Sequence, residues 1–171
     1  EKDIKEAARA FTGWSSTLKG KYIFRSSQHD YGNKEFMGES GNFNGEDIID
    51  IILSKKECAR FISKKIYRYF VSEDLPPLRL NELTDVLYSN NYEIEVLLRK
   101  IFESNWFYNE QYINQQIKSP IHLLAQLGAI NNLEFENRFA FERVTKLLGQ
   151  RLLDPPNVAG WPGGRQWIDN A

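Results

Sequence analysis

The feature that most constrains this chain is a recurrence of apolar residues at three- and four-residue intervals, beginning after Asp47 and continuing for roughly the next hundred positions. That spacing gathers apolar side chains on one side of a helix and commits the side to burial. The clearest instance is Cys58, Phe61, Ile62, Ile66, Tyr69 and Phe70, with Lys55, Lys56, Lys64 and Arg68 mainly on the other faces. Ahead of it, Ile48, Ile49, Ile51, Ile52 and Leu53 form a short apolar helix starting near Asn44 or Gly45. Between the two, Ser54 with Glu57 three residues on predicts a capping box for the second helix. Pro76-Pro77 breaks the pattern. Leu80, Leu83, Val86 and Leu87 then predict a helix ended by Ser89-Asn90-Asn91, and Ile94, Leu97, Leu98, Ile101 and Phe102 predict the next. The faces from 48 to 70 and from 80 to 102 should form the central core, with Phe61 inside it.

Ser119-Pro120 reads as an N-cap followed by proline at the first helical position, opening a helix with Leu123, Leu124 and Leu127 inward. Residues 135–153 carry Phe135, Phe139, Val144, Leu147, Leu148 and Leu152, the pattern of a longer helix. Near the start, Ile4, Ala7, Ala8 and Phe11 predict a helix over 3–12 that stops at Gly13. Residues 14–44 change character. Tyr22-Ile23-Phe24-Arg25 and Lys34-Glu35-Phe36-Met37 are short and aromatic, and turn residues lie between them. The expected fold is therefore mainly α: six or seven helices in an irregular multi-helix bundle, with a small β-hairpin near residues 22–38. No linker is long enough to divide the chain, so residues 1–171 read as a single helical domain. A chain of 171 residues buries about 70% of its extended surface and needs no disulfide or metal to fold. Its only cysteine, Cys58, reads as a small buried hydrophobe.

Charge and composition exclude some roles. The net charge is −1, so no basic field exists for general nucleic-acid binding. No apolar run reaches the roughly 18 residues that a transmembrane helix needs. The aromatic share of 13% argues against disorder. The sequence starts inside a helical pattern and stops soon after Trp167, which reads as a fragment of a longer protein.

Two places could carry chemistry. His29-Asp30 sets an imidazole beside a carboxylate, the pairing used by a general base or by a metal ligand with its orienting partner. The same residues with Gly32 also make an ordinary turn, in which His29 bonds nearby backbone. His122 lies in the first turn of the Ser119–Pro120 helix. No cysteine cluster or helical histidine pair joins it, so neither a metal nor a cofactor is expected. The second place is the closing segment from Asp154 to Trp167. Its prolines fix an extended entry, and Gly163-Gly164 permits positive φ or close backbone approach. Trp161 and Trp167 each have a large apolar body and one N–H donor. The segment reads as a strap that inserts Trp161 into the bundle, or as a platform where indole faces meet sugar rings and Asn157, Arg165 and Asp154 bond hydroxyls. Asn105-Trp106-Phe107-Tyr108 forms a further aromatic cluster, read as a satellite core. Arg99 and Lys118 are candidate partners for Asp154.

Several segments together resemble one family. They are AARAFTGW (7–14), HDYGNKEFMG (29–38), ARFISKKIYRYFV (59–71), YEIEVLLRKIFES (92–104), IKSPIHLL (117–124) and LGQRLLDPPNVAGWPGGRQWI (148–168), with DPPNVAGWPGG the most specific part. In this order they are similar to the bacterial domain-of-unknown-function family 1800. The resemblance implies an inner or C-terminal portion of a longer, exported bacterial protein, periplasmic or at the cell surface. It implies no reaction, cofactor or ligand. Two classes of function are therefore expected. One is a binding, interaction or scaffold module with a glycan or protein partner. The alternative is a hydrolase-like or metal-assisted enzyme using His29 and Asp30.

Overall fold

The computed structural model describes residues 1–132 and 138–168. In chain order these form α1 (Lys2–Ala10), β1 (Trp14–Ser16), β2 (Tyr22–Phe24), β3 (Lys34–Phe36), β4 (Glu39–Gly41), α2 (Gly45–Ser54), α3 (Lys56–Phe70), α4 (Pro77–Ser89), α5 (Ile94–Phe102), α6 (Pro120–Ile130) and α7 (Arg138–Leu147). The expected mainly α architecture holds. The backbone groups into two compact units: Glu1–Ser63 with Leu80–Leu97, and Lys64–Arg79 with the chain from Leu98 onward.

In the first unit, Ala10, Phe36, Ile48 and Ile51 are buried together, and Ala7, Phe11 and Phe43 pack on them. The expected β structure is present as two antiparallel hairpins. Tyr22–Phe24 pairs back with Trp14–Ser16, and Lys34–Phe36 pairs forward with Glu39–Gly41. Turn chemistry sets this pairing. Gly20 (φ +76) serves the first reversal. Met37 (φ +49) and Gly38 (φ +87) both adopt the positive φ of a two-residue type I′ turn in the second.

The capping box lies one helix earlier than Ser54 and Glu57 suggested. Asn44 Oδ1 accepts from the backbone N–H of Glu46 (2.7 Å) and Asp47 (3.2 Å), and Asp47 Oδ2 accepts from Asn44 N–H (2.8 Å). Ser54 is instead the last residue of α2, and its hydroxyl donates to the Ile51 carbonyl (2.7 Å). Tyr92 Oη and Tyr88 Oη donate to the carbonyls of Leu53 (2.7 Å) and Ser54 (2.8 Å), closing acceptors that a helix end leaves open. Asn44→Ala should lower stability by about 1 kcal/mol, read from urea denaturation. A cost indistinguishable from zero would show that the box contributes nothing to α2.

The inward face of α3 differs from the expected one. Ala59 and Ser63 are buried in this unit, where Ser63 Oγ donates to the Leu83 carbonyl (3.2 Å). Phe61, expected in the core, is 59% exposed. The buried stripe is turned by about 80° from the bulkiest apolar line, at 100° per residue. On this face the short Ser63 side chain sets its hydroxyl on the Leu83 carbonyl of α4, a contact that a bulkier residue would block. Leu80, Leu83, Leu87 and Leu97 are buried as expected.

In the second unit Tyr67, Val71 and Ile101 are buried. Trp106 stacks on Tyr67 (centroids 5.9 Å), and the Arg79 guanidinium lies 4.0 Å from the Trp106 ring centre. Phe70, Phe102 and Phe107 continue the cluster edge to face. The satellite core expected around residues 105–108 is therefore present, although Tyr108 stays exposed. Ser119 caps α6, accepting from His122 N–H (3.4 Å), with Pro120 in the first turn as expected. Leu123 and Leu127 were expected to point inward, yet both are exposed, and the buried positions of α6 are Pro120 and Gly128. The long helix expected over 135–153 ends at Leu147, where Gly149 (φ +83) turns the chain. Phe139 and Leu147 stand in solvent. Phe135 lies outside the described residues. Among the described residues, no helix is long and apolar enough to cross a membrane.

Candidate functional site

His29 and Asp30 follow a short 3₁₀ turn, Ser26–Gln28. Asp30 is claimed by arginine. Arg9 Nε donates to Asp30 Oδ2 (2.7 Å) and Arg9 Nη2 to Oδ1 (3.2 Å), while Gly32 N–H donates to Oδ1 (2.8 Å). The Arg9 bonds, then the Gly32 N–H, pull the Asp30 pKa down to about 2. His29 Nδ1 faces the Thr12 carbonyl at 2.8 Å, so it carries the proton and donates. The imidazole lies edge-on between Phe24 and Tyr31. Thr12 Oγ1 accepts from Asp30 N–H (2.8 Å) and completes the clasp. Asp30 is thus bonded to Arg9, and the imidazole is oriented by a backbone carbonyl. A carboxylate-oriented base needs the opposite arrangement.

The clasp has a pH signature. The Asp30 pKa lies below its ordinary value of 3.8, so the folded state favours the carboxylate. The stabilisation is present above the ordinary value and is lost as pH falls through the folded one. Acid titration followed by tryptophan fluorescence should show a step between about pH 4 and pH 2. Asp30→Asn should remove that step and lower stability at neutral pH. A step unchanged in the variant would assign it to other carboxylates.

The closing tryptophans lie elsewhere, in the second unit. Trp161 and Trp167 are half-buried and line one open concavity of about 1040 Å³. Its rim includes Tyr69, Gln116, Lys118, His122 and Arg165. Lys65, Arg68 and Tyr69 are three and four residues apart, a helical spacing that sets them along one side of α3. Gln116 Nε2 donates to the Arg68 carbonyl (3.0 Å), tying the loop before α6 to the end of α3. Gln150 Oε1 accepts from Ile121 N–H (3.0 Å) at the start of α6. Gly164 has φ +58, and a Cβ there would overlap the Glu73 carboxylate, so the turn between the two indoles suits glycine.

Of the residues expected to bind, Trp161, Arg165 and Trp167 come together here, whereas Asn157 does not line the concavity. Asn157 Oδ1 accepts from Ala159 N–H (2.8 Å) in a local turn. Asp154 also takes a nearer partner than those suggested. Asp154 pairs with Arg151 (3.0 Å), and Arg99 with Glu103 (3.3 Å). His122 enters the site through its place in the first turn of α6. Tyr69 and Arg68 were missed, because periodicity alone assigned Tyr69 to the core and Arg68 to a solvated face. The i, i+3, i+4 spacing of Lys65, Arg68 and Tyr69 was the available signal.

Two smaller concavities are occupied by their own charges. One has Lys56 paired with Asp85 and Arg60 bonded to Asn81. The other has Arg151 between Glu142 and Asp154. Among the described residues, no group of three or more His, Cys, Asp or Glu side chains could hold a metal ion. A family model described as a protein of unknown function (DUF1800) matches residues 1–171. No curated protein and no solved structure matches the chain.

Proposed function

The chain belongs to the DUF1800 family, and from that premise we propose that it is a saccharide-binding module of an exported bacterial protein, with its site in the concavity of Trp161 and Trp167. One observation carries this reading: two half-buried indoles share a single open concavity with amide, imidazole and guanidinium groups. A pyranose ring has apolar C–H faces and a belt of hydroxyls. Indole faces cover the former, and Gln116, Gln166, His122 and Arg165 bond the latter. Half-burial suits the task, because the scaffold fixes each ring while part of its surface stays accessible. The clasp at His29 and Asp30 supports a structural role for that pair better than a catalytic one.

The test is binding of the intact chain to a printed panel of neutral and acidic oligosaccharides, followed by calorimetry on the best ligand. Trp161→Ala and Trp167→Ala should each weaken that ligand by about tenfold or more, as expected for aromatic anchors. Far-UV circular dichroism should remain unchanged. No binding anywhere on the panel, or unchanged affinity in both variants, would overturn the proposal.

A further inference from the structure

We infer, resting on the saccharide reading above, that the ligand of this concavity carries negative charge, as a uronate or sulfated sugar does. The argument is electrostatic. Among the described residues, Lys65, Arg68, Lys118 and Arg165 line the concavity against Glu73 and Asp74, four cations to two carboxylates. The whole chain holds 22 basic and 23 acidic residues, so this positive excess is local to the site.

The two carboxylates hold Arg68 and Arg165 only loosely. Arg68 meets Glu73 at 3.7 Å and Arg165 meets Asp74 at 3.7 Å, both in exposed pairs that are cheap to exchange. Lys118 makes no ion pair among the described residues. It stands just before Ser119, the cap of α6, and His122 lies one turn on in the same lining. A carboxylate or sulfate on a sugar stacked against Trp161 or Trp167 would find the Arg165 fork two residues from Trp167. Guanidinium pairs with such groups through two parallel N–H donors, which neutral hydroxyls do not match.

The experiment compares tetragalacturonate with its carboxyl-reduced counterpart, and with a poly-glutamate peptide as a non-saccharide anion. The intact chain should bind the uronate about tenfold more tightly than the reduced sugar at low salt. The margin should shrink at 0.5 M salt, where exposed charges are screened. Lys118→Gln should narrow the margin while leaving affinity for the reduced sugar nearly unchanged, and Arg165→Gln should weaken the uronate more than the reduced sugar. Equal binding of acidic and reduced sugars, with loss of both in Trp161→Ala, would overturn the charge inference and leave the saccharide reading standing. Equal binding of poly-glutamate would show that charge alone is read and would overturn the inference. Binding of neither sugar, on the probes or on the printed panel, would overturn both.

Discussion

Leu83→Ala should lower stability by about 2–5 kcal/mol, while Phe61→Ala should cost less than about 1 kcal/mol. The ranking inverts what side-chain size suggests. Leu83 is fully buried, and its carbonyl accepts from Ser63 of α3. Facing it from α3, Ser63 offers little side chain to move into a new cavity. A truncated residue there costs both transfer free energy and the unfilled space. Phe61 is 59% exposed, so most of its ring is already in water in the folded state. The two variants, unfolded in urea and compared at equal slope, check this. Comparable losses, or a larger loss for Phe61, would mean that α3 presents its other side to the core.

Tyr67 gives the second large effect, within the other unit. Tyr67→Ala should cost about 3–5 kcal/mol, since a fully buried ring stacked on Trp106 is removed. Tyr67→Phe should cost less than about 1 kcal/mol or stabilise the chain slightly. Its Oη is buried and has no hydrogen-bond partner among the described residues. Burial pushes the Tyr67 pKa upward. A hydroxyl desolvated without compensation opposes folding, so deleting it removes a penalty. A loss above about 2 kcal/mol in the phenylalanine variant would show that the hydroxyl is bonded after all.

The sequence was most readable where local chemistry acts alone. Ser119-Pro120 starts α6 because the hydroxyl and the proline both belong at a helix entrance. Leu80, Leu83 and Leu87 are buried because α4 has one apolar line and no competing one. Along α3, by contrast, apolar residues cover more than half the circumference, so periodicity allowed several inward faces. The face that folding selects carries Ser63, whose partner Leu83 lies twenty positions further along the chain. The candidate site divides in the same way. Trp161, Arg165 and Trp167 are close along the chain and were legible together. Tyr69, Gln116 and Lys118 join them only through folding. His29 and Asp30 are adjacent, but the partner that decides their chemistry is Arg9, twenty-one positions earlier.

Lys34 is 1% exposed, and its ammonium donates to the carbonyls of Asp30 (2.6 Å) and Gly32 (3.0 Å). Those acceptors lie four and two positions upstream, so the spacing is part of the bond. Inserting or deleting one residue between Asp30 and Lys34 would draw the ammonium off its carbonyls and strand a charge away from water. The loop before β3 therefore has a fixed length, whereas the stretch from Leu152 to Ala159, exposed along its length, has room for gain or loss of residues.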